Sequence, residues 1–277
     1  MTTRAETALA RVSTGQPRKR FNLRWITGMG PTAAALIAGA VVWELIGQVA
    51  GFRFFPPLSD VVARLVEMTL AGEILPPLTN SLTNLAIGFG FTIVVGVGVG
   101  LLMGAYRRVE TALDIYVYAM LTAPSLVFAP ILFSIFGLGR AAIVGVIILY
   151  TIFIVIISTT SAVKTVPRPL IEMGRSYCAN DRQLFLRVII PAATPMIMAG
   201  LRIGAGRAVK GMINGEMFIA AVGLGELVTR AGNRFDATSV LAVLILIILV
   251  AFFVVRIVQL VDMRLTRWLP ETQRRKK

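Results

Sequence analysis

KTVPRPLIEMGRSYCANDRQLFLRVIIPAATP, residues 164–195, is a polar island between long apolar runs. It packs five basic residues, two acids, Asn180 and Gln183 into a chain that is otherwise 56% hydrophobic and only 15% charged. Soluble domains carry about 25% charged residues. The deficit, with a mean hydropathy of +0.79, marks a membrane protein. A polar stretch of this size in such a chain faces water.

Helix signals lie inside the island. Pro167 and Pro169 suit a first helical turn, where a missing N–H costs nothing. A helix to about Tyr177 places Leu170, Met173 and Tyr177 on one stripe. Asn180 is a good N-cap, and Gln183 three residues later completes a capping box. The second helix has Leu184, Phe185 and Val188 on one face and is expected to stop at Pro191. The expectation is a two-helix knob with an elbow at Cys178-Ala179-Asn180. The plainer alternative is a solvated loop.

Six apolar runs surround the island, at about 31–50, 82–105, 115–136, 141–162, 196–222 and 240–261. Each is near the ~20 residues that cross a bilayer core. This predicts an all-α polytopic protein with six transmembrane helices. Residues 1–30 are too long and basic a lead for a secretory signal, and read as a cytoplasmic tail before a retained first span bearing Trp43 and Glu44. Phe52, Phe54 and Phe55 beside Pro56-Pro57 suit an interfacial anchor. Ser59 is placed to cap a short surface helix over 60–71, with Val61, Val62, Leu65 and Met68 on one face. Pro76-Pro77 is read as its end. In the second run Gly88, Thr92, Gly96, Gly100 and Gly104 form a small-residue stripe, for packing inside one subunit or for a dimer contact. Pro124 and Pro130 predict a kinked or broken third span.

Charge placement gives an orientation. Six basic residues precede residue 31, two lie in 105–114, five in 163–190 and six from Met263 onward, which makes 19 of the 28 on the side of both termini. Five lie on the other side and four within spans. Basic loops stay cytoplasmic, so both termini and the island are expected there. This also accounts for most of the net charge of +14 without nucleic acid.

The fifth run is unusual in carrying Arg202, Arg207, Lys210, Asn214 and Glu216. A cation in mid-span costs at least ~2.5 kcal/mol unless it faces a cavity or a partner. Lys210 and Asn214 share a helical face; Glu216 does not. Lys210 is read either as internally paired, with Glu44 or Glu216, or as a cationic lining that attracts an anion. Lys210, Asn214 and Glu216 are the candidate pathway residues. With no histidine and one cysteine, Cys178, no metal site is expected and no nucleophile–base pair supports an intramembrane enzyme. Cys178 is expected to be a semi-buried structural residue rather than a reactive thiol.

EMGRSYC (172–178) followed by Val188-Ile189-Ile190-Pro191 resembles the conserved loop of binding-protein-dependent ABC importer permeases. The likeness continues through Pro195, Gly200-Leu201-Arg202, Gly215-Glu216-Met217 and Gly223-Leu224-Gly225. Upstream it takes in Phe55-Pro56-Pro57-Leu58-Ser59 and Arg107-Arg108-Val109-Glu110, so that it covers nearly all of residues 31–268. The subgroup it is most similar to handles sulfonates, nitrate and taurine. Met173 and Gly174 stand where the family has two alanines, Cys178 where it has glycine, and Ile190 where leucine is usual.

The resemblance implies a type I importer permease. Its transmembrane domain would be 31–265, with a coupling loop at 164–191 and basic tails at 1–30 and 266–277. It implies a permease homodimer in the lipid of a prokaryotic cytoplasmic membrane, an extracytoplasmic solute-binding protein, and ATPase subunits gripping Glu172, Met173, Gly174, Arg175, Tyr177, Cys178, Leu184, Phe185 and Pro191. The chain itself has no G-x-x-x-x-G-K-[ST] loop, so ATP would be bound by the partner and this chain would be a transport subunit, not an enzyme. The solute would be a small anion. A stand-alone secondary transporter or channel is the alternative. It would show polar residues in several spans and an internal repeat, and the sequence shows one polar span and no clear repeat.

Overall fold

The computed structural model describes residues 30–50, 55–219 and 222–268. The N-terminal tail, Phe52, Phe54 and the end of the C-terminal tail lie outside the described residues. Among those described, regular structure is entirely helical: α1 Pro31–Ala50, α2 Leu58–Leu70, α3 Leu75–Ala105, α4 Arg107–Thr122, α5 Ala129–Phe136, α6 Arg140–Lys164, α7 Arg168–Ser176, α8 Asp181–Leu184, α9 Ile190–Ile219, α10 Gly223–Asn233 and α11 Ala237–Leu265. Three of these, α3, α6 and α11, together with the continuous stretch Asp181–Ile219, are long and apolar enough to cross a membrane. The segments Arg107–Thr122 and Ser125–Phe136 reach span length and apolarity only when taken together, across a bend of 95°. The bend is where the prolines predicted it. Pro124 disfavours helix at the residue before it, and Ala123 is extended at ψ 138°. The first apolar run forms α1, whose apolar stretch is shorter.

Polar groups tie the corner between α1 and α2. The Glu44 carboxylate accepts from the Ser59 N–H and the Ser59 hydroxyl, both at 2.9 Å, and so does the capping expected of Ser59 itself. Pro57 takes the N-cap position. The indole of Trp43 donates to the Pro56 carbonyl at 3.2 Å. Of the predicted face of α2, Val61 and Met68 are buried, Leu65 is half-buried and Val62 is exposed. Pro76-Pro77 does not end α2. That helix stops at Leu70, before Gly72 in the left-handed region at φ 75°. The proline pair instead opens α3, seven residues earlier than expected, because proline lacks only a donor that the first turn leaves unused.

Helix α6 runs between two seams. On one side the α3 stripe meets β-branched residues of α6 at the same four-residue spacing. A Cβ added at Gly88 would lie 2.8 Å from Ile147, at Gly96 3.0 Å from Val155, at Gly100 2.6 Å from Thr159 and at Gly104 2.6 Å from Val163. Thr92 and Thr151 complete the seam with a 2.8 Å hydrogen bond between hydroxyls. The stripe therefore packs inside one subunit. On the other side α9 presents a second small-residue row, Gly200, Gly204, Ala208, Gly211 and Gly215. Gly200 abuts Ser158, Gly204 Val155, Gly211 Tyr150 and Gly215 Val146.

The second helix of the island does not stop at Pro191. It passes through a π turn, Phe185–Ile189, straight into α9. Proline cannot donate to the carbonyl four residues back, and its ring crowds that carbonyl. The wider turn of a π-helix relieves the conflict without breaking the rod.

Adding a methyl at Gly100 should wedge the first seam apart. Gly100→Ala is expected to cost about 1–3 kcal/mol, read as a lower unfolding midpoint in detergent. Gly98→Ala on the same helix, where nothing lies within 4 Å of the added carbon, should leave the midpoint unchanged or slightly raised.

Candidate functional site: the knob and the polar end of α9

The island folds as the expected two-helix knob. Pro167 is the N-cap of α7, and the capping box at Asn180 is present: Gln183 N–H donates to Asn180 Oδ1 at 2.9 Å and Asn180 N–H to Gln183 Oε1 at 3.1 Å. The elbow is a Schellman turn. Ala179 N–H reaches the Gly174 carbonyl at 3.2 Å and Cys178 N–H the Arg175 carbonyl at 2.9 Å, which satisfies carbonyls that the end of α7 leaves open. Cys178 holds the left-handed position at φ 56°, where glycine would be unstrained. Its side chain is exposed, which corrects the expectation of a semi-buried residue: a left-handed cap at the tip of an elbow projects its Cβ outward. Gly174 is buried, and a Cβ there would lie 2.7 Å from Leu184. Glycine at this position thus lets α7 close onto a large residue of α8.

Leu170, Met173 and Tyr177 form the predicted stripe and face outward; Tyr177 is 82% exposed. Glu172 and Arg175 flank the stripe, both exposed. Among the described residues nothing pairs with the Glu172 carboxylate; only its backbone carbonyl is engaged, by the Ser176 hydroxyl at 3.0 Å. Leu184 is buried behind the stripe, Phe185 is half-buried and Pro191 lies in the first turn of α9. A cleft of about 930 Å³ separates the knob from the end of α3, lined by Tyr106, Ile171, Arg175, Arg182 and Phe185 among others. Beside it Lys164 forms an ion pair with Glu110 of α4, which fixes the end of α6 to the 105–114 corner.

The fifth-span candidates separate in two. Lys210 is exposed on α9, and among the described residues it has no hydrogen bond or ion pair; it meets neither Glu44 nor Glu216. Asn214, one turn on, donates to the Tyr150 hydroxyl at 2.8 Å. Glu216 points into the subunit and is 0% exposed. Its carboxylate accepts from Ser81 Oγ at 2.8 Å and Gly225 N–H at 3.1 Å, with Asn84 Nδ2 at 3.5 Å. Ser81 Oγ in turn accepts from Leu224 N–H at 2.9 Å. An acid thus sits on the free N–H groups that open α10, the arrangement a helix N-terminus favours. The Gly223-Leu224-Gly225 turn is what admits it. Gly223 is left-handed at φ 80°, and a side chain at Gly223 or Gly225 would overlap Glu216.

Helix α10 fills most of the segment between the fifth and sixth apolar runs. The signal was present, since glycines followed by Glu226 and Arg230 allow an i,i+4 ion pair, and that pair forms. Arg202 is likewise engaged, with Asp262 of α11 at 2.5 Å. No group of three or more His, Cys, Asp or Glu able to hold a metal occurs among the described residues.

Two outcomes follow from this geometry. Glu216→Ala strands a buried hydroxyl and backbone N–H groups and is expected to cost about 2 kcal/mol or more; Glu216→Gln, which keeps one acceptor oxygen, should cost less in the same detergent unfolding experiment. Cys178→Gly relieves a left-handed side chain and should raise stability by about 1 kcal/mol, seen as slower proteolysis at the elbow.

Residues 93–267 match the family model described as "Binding-protein-dependent transport system inner membrane component". A protein of Brucella melitensis described as an ABC transporter permease is 30% identical over 88% of this chain and 98% of its own length. The taurine transport system permease protein of Escherichia coli is 29% identical over 92% of this chain and 96% of its own. Among solved structures, the methionine ABC transporter in inward-facing conformations aligns with a TM-score of 0.59 at 19% identity, covering 69% of this chain and 94% of that one; it shares the fold.

Proposed function

This chain belongs to the family of binding-protein-dependent transport system inner membrane components, multi-pass proteins of the prokaryotic cytoplasmic membrane, and from that premise we propose that it is the transmembrane permease subunit of an ATP-driven importer. The observation that carries the reading is the exposed apolar stripe of α7. Leu170, Met173 and Tyr177 stand out of a short polar helix, beside Glu172, which is exposed and has no side-chain partner among the described residues, at the end of a capped elbow. Apolar side chains held in water on a built support suit docking to another protein. The partner we assign is an ATPase subunit that binds the nucleotide, since the sequence offers no phosphate loop of its own.

In this reading six spans place both termini and the knob in the cytoplasm. Two copies of the permease enclose the pathway, and an extracytoplasmic binding protein delivers the solute. Closure of the ATPases shifts α7 and α8. Because α8 continues through the π turn into α9, that shift acts on a span directly rather than through a loose loop. The solute we assign is a small anion of the sulfonate, taurine or nitrate kind; the likeness to the taurine permease supports it, as does the cationic Lys210 with Asn214 on α9. A secondary transporter or channel would leave the α7 stripe without a purpose.

The test is assembly and uptake together. Glu172→Ala, and separately Tyr177→Ser, should reduce both co-purification of the ATPase and ATP-dependent uptake by about tenfold, the equivalent of one contact worth roughly 1.4 kcal/mol. Undiminished assembly and uptake in both variants would remove the docking role.

A further inference from the structure

Arg207 is one of the charges of the fifth apolar run. In the structure it shares a face with Lys210. Ile203, Arg207, Lys210, Asn214 and Met217 recur at steps of four, three, four and three, the spacing of one helical face. All but Asn214, which is half-buried, are exposed; Ile203 is 57% exposed. Neither cation has a hydrogen bond or ion pair among the described residues, whereas Arg202, on the other side of α9, is paired with Asp262. Arg207 stands 17 residues after Ile190 and 12 before Ile219. At 1.5 Å per residue it is about 18 Å or more from either end of α9, well inside the helix. A lipid-facing site would cost at least ~2.5 kcal/mol per cation, so two adjacent cations here suit a face turned toward a water-lined pathway rather than toward lipid.

What the face offers is donors. Arg207 supplies a planar fork that matches two oxygens of an oxyanion, and Lys210, about 4.5 Å further along the axis, supplies a point charge. The Tyr150 hydroxyl accepts from Asn214, which leaves its own O–H hydrogen free to donate. No acid stands on this face of α9; Glu216 is turned inward.

We propose that Arg207 and Lys210 form a two-point oxyanion subsite in the transport pathway, with Tyr150 and Asn214 as its neutral donors. The proposal rests on the permease reading and deepens it. Arg207 recognises the shape of the oxygen head group, Lys210 raises the local concentration of anions, and the Asn214–Tyr150 pair holds the next turn of the face in register with α6.

The experiment uses membranes carrying the assembled transporter, with Cys178→Ser removing the native thiol and Ile203→Cys or Met217→Cys placing one on this face. Labelling rates are compared for two methanethiosulfonate reagents, one bearing a sulfonate and one a quaternary ammonium. With Arg207 and Lys210 present the sulfonate reagent should be favoured, and Arg207→Gln/Lys210→Gln should lower the sulfonate-to-ammonium rate ratio about tenfold, within the range that local charge gives to association rates. Arg207→Lys should keep the ratio but reduce protection of the thiol by millimolar ethanesulfonate. Thiols unreactive to both reagents would mean the face meets lipid or protein, and a ratio indifferent to the double substitution would mean the cations do not gather anions; either result overturns the subsite. ATPase co-purification from the same membranes is scored separately. A lost subsite with the ATPase still bound leaves the permease reading standing, and loss of the ATPase from the unsubstituted protein sinks that reading instead.

Discussion

The structure depends on how closely α6 is approached from its two sides. Lipid tails are as apolar as leucine, so helices in a bilayer gain nothing from hiding apolar surface from one another. They associate through contact, and contact requires that one partner lack bulk. Here α6 brings the bulk, as Ile147, Val155 and Val163, and its neighbours α3 and α9 bring glycine. Branched residues suit the giving side because few rotamers are lost when they are pressed into a groove. The two seams share Ile147 and Val155, which touch glycines of both neighbours, so the three helices pack as one unit and not as two independent pairs.

Most polar residues inside this unit find partners within it, although Asn84 Oδ1 and Arg202 Nε are buried without one. Thr92 meets Thr151, Thr160 reaches the carbonyl of Gly100 at 3.1 Å, Arg202 meets Asp262, and Glu216 gathers Ser81 with the start of α10. A buried polar group without a partner is costly, and each of these joins two elements that are distant in sequence. Against that background Arg207 and Lys210, exposed on α9 and without a partner among the described residues, stand out.

Much of this was legible beforehand. The apolar runs each gave a helix, with most ends within a few residues of those expected, and Pro124 gave the break. The capping box gave the elbow because its two hydrogen bonds lie within four residues and need no tertiary context. What was misread depended on the third dimension. Ser59 had the chemistry of a cap, yet an acid fifteen positions earlier does the capping. Pro76-Pro77 could end one helix or begin another, and only the left-handed Gly72 before it decides. Glu216 looked like a lining residue because a charge in a span suggests water; its partners, Ser81 and the N–H groups of α10, are invisible until α3 and α10 are brought together. The second glycine row was there in the sequence and is irregular by one residue at Gly211, which hides it beside the strict repeat of α3.

The π turn at Phe185–Ile189 fixes which side of the span the knob stands on. Such a turn holds one residue more than the α-helical turn it replaces while still completing a single revolution. The extra position is thus absorbed beside the knob, and the faces of α9 keep the azimuth that an uninterrupted helix one residue shorter would give them. Were the same residues wound as plain α-helix, α7 and its stripe would turn by about 100° relative to the faces of α9, so the shape of this one turn sets the direction in which a partner on the stripe is held.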